Sequence, residues 1–229
     1  MRRKSLIVLG VILVLFSLQS CKSKPEQTLL KSYFHACSLN DVTTMASMAI
    51  DPVKIDAESW TITKVSEEKI EPAVLPEMSK AELDLAKQRD AHIPVTLDAK
   101  DELDGAKDEY NSARTGAAKA AAKAKMDAAQ KKYDDEYKLH QDLIKQYNDA
   151  KAAAAKEEEI TTFSLGAGQL ANIRDLKGDV HSKEVEVQVK FKDGSTKNYK
   201  ITTRMYRLKD EAANVAHPGR WIITKFEQL

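Results

Sequence analysis

The segment from about residue 77 to residue 160 most constrains how this chain can fold. It is rich in Ala, Lys, Asp and Glu, and it separates two stretches with strand-like alternation, at about 59–65 and 184–191. These two strands must share one sheet if either is to be buried. An unbroken helix over 98–158 would be about 90 Å long and would carry its far end away from that sheet. The segment is therefore predicted to turn back on itself as an antiparallel helical hairpin.

Apolar periodicity supports two helical arms in this segment. One seam repeats every seven residues, with further apolar residues in between: Met126, Tyr133, His140 and Tyr147, then Tyr137 and Ile144. An upstream seam comprises Leu103, Ala106, Tyr110, Ala113 and Ala117. Gly116 lies near the midpoint and permits a reversal, which gives arms of roughly 55–65 Å, although the helix-favouring run 117–125 could shift the turn. Pro94 predicts a break between about Ala91 and Asp98. A disordered or otherwise folded charged segment is the alternative.

The stretch before this segment mixes helix and strand signals. One helical stripe is formed by Leu29, Leu30, Tyr33, Phe34 and Cys37. Asn40 or Asp41 suits an N-cap for a second short helix, and Pro52 ends it. In the strand that follows, alternation places Trp60 and Ile62 on one face and Thr61, Thr63 and Val65 on the other.

The stretch after it predicts an antiparallel meander. Val185, Val187, Val189 and Phe191 alternate with polar residues. Asp193-Gly194 then offers a tight turn into a strand at about 196–208, and a closing strand at about 221–226 follows a looser connection. We expect an α+β fold in which N-terminal helices pack on a four-stranded antiparallel sheet, with the long helical (coiled-coil) hairpin inserted.

The N-terminus has the features of an export signal. Basic residues at positions 2–4 precede about thirteen apolar residues, too few for the roughly 20 that a membrane span needs. The segment ends in Leu18-Gln19-Ser20-Cys21, which resembles the lipobox of bacterial lipoproteins. The resemblance implies cleavage between Ser20 and Cys21, a diacylglyceryl group on the Cys21 thiol, and an N-acyl group on the new terminus. The protein would then be bound to membrane lipid. An ordinary secretory signal with an incidental cysteine is the alternative.

Removal of residues 1–20 would take the formal net charge from +1 to −2, so no basic excess indicates a nucleic-acid partner. A linker of about four residues reaches at most some 14 Å, which would hold the folded part against its membrane. Lys22 stands where enteric inner-membrane lipoproteins carry aspartate, and this resemblance favours the outer membrane, facing the periplasm. Cys37 would be the last free thiol, so no internal disulfide is expected, and a buried, inert cysteine is predicted.

Three stretches carry a second resemblance: Leu29–Ala36 running into Asn40-Asp41, Lys192–Ser195, and Gly219–Ile223. They look like the nuclear-transport-factor-2-like superfamily, over about 120 of the 229 residues. The resemblance implies a cone-shaped (cystatin-like) fold, in which a curved sheet wraps round helices. The superfamily includes isomerases, dehydratases, transport factors and catalytically silent lipoproteins, so the resemblance selects no activity. No position here matches its acid or base catalytic motifs.

No linear motif predicts a catalytic, metal or cofactor site. The histidines are scattered: His35, His92, His140, His181 and His217. The acidic runs match no calcium loop and indicate solvated helix faces. Residues 166–171 fit the dinucleotide fingerprint G-x-G-x-x-A, but the antiparallel strands that follow favour a connecting loop. An enzyme site assembled in space stays open as a hypothesis.

The sequence thus predicts a cleaved signal peptide (1–20), a lipid anchor and linker (21–26), a discontinuous cone-like domain (27–76 plus 161–229) and an inserted hairpin (77–160). The expected function is that of an envelope lipoprotein acting as a non-catalytic interaction or structural module, with an envelope protein as partner. The expected partner-binding stripe comprises Tyr133, Tyr137, His140, Ile144 and Tyr147. The alternative is a small-ligand-binding or enzymatic cone domain with a pocket lined by Tyr33, Trp60 and Trp221. Nothing in the sequence indicates an oligomeric state.

Overall fold

The computed structural model describes residues 24–166, 170 and 172–229, and it confirms the α+β class. The predicted lipidation and cleavage site at Ser20 and Cys21 lies outside the described residues. The described elements are α1 Pro25–Ser38, α2 Val42–Ala46, β1 Ala57–Val65, β2 Lys69–Pro72, α3 Leu75–Ser112, α4 Gly116–Leu165, a 3₁₀ turn Ile173–Asp175, β3 Lys177–Phe191, β4 Thr196–Asp210, β5 Val215–Pro218 and β6 Ile222–Gln228.

The sheet has six antiparallel strands rather than the four expected from the sequence. β3 pairs with β1 and β2 along one edge and with β4 along the other, and β4 also pairs with β5 and β6. β3 and β4 are 15 residues each, long enough for each to pair with two short strands in succession. The two additional strands, β2 and β5, are four residues each and show no apolar alternation. They are recognisable only by their pairing with the free edges of β3 and β4. Gly194 supplies the expected positive φ, +82°, in the turn between β3 and β4.

A β-bulge in β1 changes which side chains reach the core. Ile62 pairs with Val187 and Val65 with Val185, so three residues of β1 span two residues of β3. The extra residue moves Val65 to the face that carries Trp60 and Ile62, where all three pack against the core. The strict alternation expected from the sequence, with Val65 on the opposite face, is therefore wrong at this position.

The sheet is covered on both faces, by different elements. On one face α1 and α2 bury a core that includes Leu30, Tyr33, Met45, Val185, Val187 and Ile201. On the other face the base of the hairpin and the 3₁₀ turn bury a second core formed by Leu75, Ile160, Ile173, Leu176, Tyr206, Leu208 and Ile222. The neighbours Ile222 and Ile223 enter opposite cores, and both are almost fully buried. The two cores therefore meet at β6.

Helices α3 and α4 run antiparallel and are joined by residues 113–115. The Thr115 hydroxyl accepts a hydrogen bond from the Ala118 backbone N–H and caps α4, so the reversal comes just before Gly116, which starts the helix. At 38 and 50 residues the arms are about 57 and 75 Å long, the second longer than expected. Helix α3 continues through Pro94, so the expected break between Ala91 and Asp98 is wrong. Packing against α4 on both sides of the proline holds the helix together.

Candidate partner-binding arm

The two arms of the hairpin are tied together at their base by one arginine. Arg174, in the 3₁₀ turn, donates from Nη1 to Glu82 of α3 and from Nε to Glu158 of α4, each at 2.7 Å. Glu82 is largely buried, and the guanidinium is only one-third exposed. One side chain therefore links α3 and α4 to the 3₁₀ turn that leads into β3.

A second set of contacts fixes α4 to β4. Tyr206, fully buried, donates its hydroxyl to Glu157 at 2.6 Å, and Arg204 Nη1 lies 3.4 Å from the other carboxylate oxygen. Ser164 donates to the Arg220 carbonyl at 2.8 Å and accepts from the Tyr206 backbone N–H at 3.1 Å. Buried hydrogen bonds of this kind are costly to break because each partner would be left unsatisfied. The arm is thus mounted rigidly on the sheet.

We expect alkaline pH to report on this mounting. Burial raises the pKa of Tyr206 well above its usual range, and the hydrogen bond to Glu157 raises it further, although Arg204 opposes this. Burial likewise raises the pKa of Tyr33. Since an unfolded tyrosine ionises near pH 10, the folded state then holds more protons than the unfolded state. The free energy of unfolding should therefore fall as the pH rises above about 10.

The measurement is a near-ultraviolet titration of phenolate formation on the folded protein and on Tyr206→Phe. Two of the seven tyrosines should ionise late in the wild type, and the variant should lose one of these late ionisations. Ionisation of all seven in one step, with the protein still folded, would contradict the described environment of Tyr206.

Beyond the base, small residues allow the arms to pack closely. Ala99 and Leu103 of α3 and Ala122, Ala129 and Leu143 of α4 are buried between the helices. Ion pairs cross one flank of this seam: Lys125 to Glu109 at 2.7 Å and Lys132 to Glu102 at 2.5 Å. These pairs are exposed and add little to stability, but they define the register of the arms.

The five residues of the expected stripe do not form one surface. Tyr133, His140, Ile144 and Tyr147 are partly buried, whereas Tyr137 is 48 % exposed. His140 stacks on His92 of the other arm, and the Arg89 guanidinium lies 4.3 Å from the Tyr147 ring centroid. The second line of the seam runs through Ala129, Glu136 and Leu143. Glu136 and Leu143 come one residue before Tyr137 and Ile144, the positions expected from the sequence. Tyr137 therefore points outward.

An exposed apolar band surrounds the arm at the level of Tyr137. We use the name apolar band for Ile93, Val95, Leu97, Tyr137 and Leu139, whose exposed fractions lie between 43 and 55 %. The stacking of His92 on His140 places positions 93–97 of one arm beside 137–139 of the other. The run Ile93–Leu97 is conspicuous in an otherwise charged arm, but the break predicted at Pro94 gives no indication that these residues share a level with Tyr137.

The three aromatic residues of the expected pocket lie in two places. Tyr33 is fully buried and exchanges hydrogen bonds with the Val53 backbone, both at 2.8 Å. Trp60 stacks on Phe34, which also contacts Tyr33. Trp221 lies apart from this group, and Lys183 Nζ is 5.4 Å from its ring centroid. A pocket formed by these residues remains a prediction.

A cleft lies instead between the base of the arm and the sheet. It has a volume of about 320 Å³, and its lining includes Glu71, Glu77, Glu157, Ser182 and Arg204. Glu157 already neutralises Arg204, and Lys69 lies 2.6 Å from Glu71. The rest of the lining is apolar, and most of the charges in the cleft are paired internally.

A buried charge cluster fixes the start of α1. Lys183 Nζ lies 3.2 Å from Glu26 and 3.4 Å from Glu68, and His181 Nδ1 lies 2.5 Å from Glu68. Glu26 is almost fully buried. The hydrogen bond from His181, with help from Lys183, holds the pKa of Glu68 below its usual range. This cluster joins the N-terminal turn of α1 to β3 and is structural in character.

The other sequence features that could carry chemistry are the Cys37 thiol, the G-x-G-x-x-A match and the acidic and histidine side chains. Cys37 is buried, as predicted, and burial raises the pKa of its thiol, which makes it a poor nucleophile. Residues 167–169 and 171 of the G-x-G-x-x-A match lie outside the described part, and antiparallel β3 and β4 follow it. Across the described residues, no three His, Cys, Asp or Glu side chains are placed to hold a metal ion. Within the same residues, none of the helices has the length and apolar character of a membrane span.

Comparison with known proteins adds no relative: no family model, curated protein or solved structure matches this chain.

Proposed function

We propose that this protein is a lipid-anchored lipoprotein of the bacterial envelope, non-catalytic, whose helical arm binds an envelope protein through the apolar band. The observation that carries the proposal is a band of exposed apolar side chains halfway along a rigidly mounted arm. The proposal keeps the expected division into a signal peptide, an anchor, a cone-like domain and an inserted hairpin. It also keeps the outer membrane, facing the periplasm, as the location.

The composition of the apolar band supports binding of a protein rather than a solvated face. Large apolar side chains exposed at one level of an arm that is otherwise charged are typical of interaction sites, and tyrosine is enriched at such sites. The rest of the arm exposes mainly Lys, Asp, Glu and Ala, which favour solvation. A partner that presents an apolar groove or helix face fits the band best.

The proposed anchor supports the same function through geometry. Helix α1 begins at Pro25, so only three residues would separate it from a lipidated Cys21. Glu26 then fixes this end of α1 to the sheet through Lys183. The folded part would lie close to the bilayer, and an arm of about 57 Å or more could carry the apolar band away from it.

The test is in-cell crosslinking of the intact protein and of two altered forms. The first replaces residues 84–152 by a short Gly/Ser linker, which keeps Glu82, Glu157 and Glu158 at the base. The second is the double substitution Leu97→Glu and Leu139→Lys. Exposed positions tolerate substitution within about 0.5 kcal/mol, so the double variant should fold normally. We expect both forms to lose the envelope partners that the intact protein captures.

Lys138→Glu is the matched control, because Lys138 is exposed on the same arm outside the apolar band. It should retain every partner. If the folded double variant also retains them, the apolar band is not the binding surface. If the shortened form retains them as well, the arm has no role in binding, and the alternative of a ligand-binding cone domain gains support.

A further inference from the structure

Two histidines meet inside the arm, one from each helix. The rings of His92 and His140 stack with centroids 5.9 Å apart and planes inclined by 13°. His92 Nε2 lies 2.9 Å from Glu136, and its Nδ1 lies 3.2 Å from the Thr96 hydroxyl. A carboxylate only accepts hydrogen bonds, so Nε2 of His92 carries a proton and donates it to Glu136.

His140 has a different environment. Its Nδ1 is buried and has no hydrogen-bond partner within the part of the chain that the structure describes. In the neutral ring this nitrogen can remain an unprotonated acceptor. Protonation would create a buried N–H with no acceptor and place a positive charge on a ring stacked against His92, and both changes are costly.

The surrounding charges do not compensate a second proton. On α4, the charged residues near the two histidines are Glu136 and Lys132, and Lys132 pairs with Glu102 of α3. From α3 the nearby charges are Arg89, paired with Asp90, and Asp98, which interacts with Lys132. Tyr133 and Tyr147 lie on the same seam of α4, seven residues before and after His140. Glu136 is thus the single carboxylate hydrogen-bonded to the imidazole pair among the described residues.

Helix α3 lacks one backbone hydrogen bond at the same level of the arm. Pro94 has no N–H, so the Asp90 carbonyl receives no helical hydrogen bond from it. A proline inside a helix lowers the cost of a bend there. The arm therefore has a pair of stacked histidines at the same level as a proline where α3 can bend.

We propose that the stacked pair of His92 and His140 is an acid-sensitive joint in the arm. At neutral pH the arms are closed. Histidine ordinarily takes up its proton near pH 6.5. The first proton, on His92, is compensated by Glu136. The second, on His140, is not, so the arms separate at this layer as the pH falls, α3 bends at Pro94, and the neighbouring apolar band changes shape. The base, held by Arg174 and Tyr206, stays closed.

The test is hydrogen exchange, measured by mass spectrometry on the full chain in detergent micelles at pH 7.5 and 5.5. Protection factors are compared for residues 88–99 and 136–147, with residues 154–164 at the base as the internal reference. Each uncompensated proton changes the open-to-closed ratio by at most about tenfold per pH unit. We expect protection in the joint to fall about tenfold in acid while the base is unchanged.

Three variants decide the outcome. His140→Leu should keep its protection at pH 5.5, because it cannot take up the uncompensated proton. Glu136→Gln should lose more protection than the wild type, because neither imidazolium then has a carboxylate. His35→Gln, at an exposed position of α1, should respond like the wild type. Equal protection of the wild-type joint at both pH values would overturn the proposal. So would an acid response of His140→Leu equal to that of the wild type, or of Glu136→Gln no larger than it.

Discussion

Cys21→Ser is expected to transfer this protein from the membrane fraction to the soluble fraction. Serine offers no thiol for the diacylglyceryl group, so the acyl chains of the proposed anchor would be lost. Each buried methylene contributes about 0.8 kcal/mol, and several chains together give firm anchoring. The change in partitioning should therefore be nearly complete. Cell fractionation, combined with the mass of the N-terminal peptide, measures it.

Ser20→Ala is the matched control, since it keeps a small residue before the cysteine and should leave both cleavage and anchoring intact. Membrane association of Cys21→Ser that survives a high-salt wash would show that something other than Cys21 holds the protein there. In that case an uncleaved or incidental signal segment becomes the better interpretation of the N-terminus.

Gly178→Ala is expected to destabilise the fold by on the order of 3–5 kcal/mol, because overpacking and a strained backbone add together. Gly178 is the second residue of the long central strand β3 and has a φ of +146°, a conformation that L side chains rarely adopt. A Cβ at this position would lie 2.1 Å from the Arg207 carbonyl oxygen of β4. The Gly178 carbonyl also accepts a hydrogen bond from Ala73, at the end of β2. A shift of this backbone would therefore disturb three strands, and urea unfolding measures the loss.

Gly105→Ala provides the opposite expectation with the same substitution. Gly105 lies in α3 with nothing within 4 Å of its hypothetical Cβ, so alanine should stabilise the protein by about 0.5–1 kcal/mol. A loss below about 1 kcal/mol for Gly178→Ala would mean that the strands separate easily there, contrary to the close approach of β3 and β4.

Features that depend on near neighbours along the chain could be predicted from the sequence. The alternation of Val185, Val187 and Val189 gave the core face of β3, and Asp193-Gly194 gave its turn. Asp41 caps α2 by accepting from the Thr44 backbone N–H, as one of the two suggested positions. The seam through Tyr133, His140 and Tyr147 follows from helical periodicity. The first three signals span at most five residues each, and the seam repeats every seven residues.

Features that depend on distant pairing came only from the tertiary structure. β2 and β5 pair with the edges that the long strands β3 and β4 leave free, and the bulge at Thr63 is defined only by the pairing of β1 with β3. Contacts such as that of Glu26 with Lys183 join residues 157 positions apart and leave no periodic trace.

The candidate site divides in the same way. The sequence by itself determined that a long helical segment must return to its starting point, because the strands on either side of it need one sheet. Which side chains that hairpin leaves exposed depends on the register of its arms, set by contacts such as those of Lys132 with Glu102 and His92 with His140. A shift of one residue on a helix rotates a side chain by about 100°, enough to move Tyr137 from the seam to the surface. The local pattern specified the helices, and the packing between them decided which residues a partner could reach.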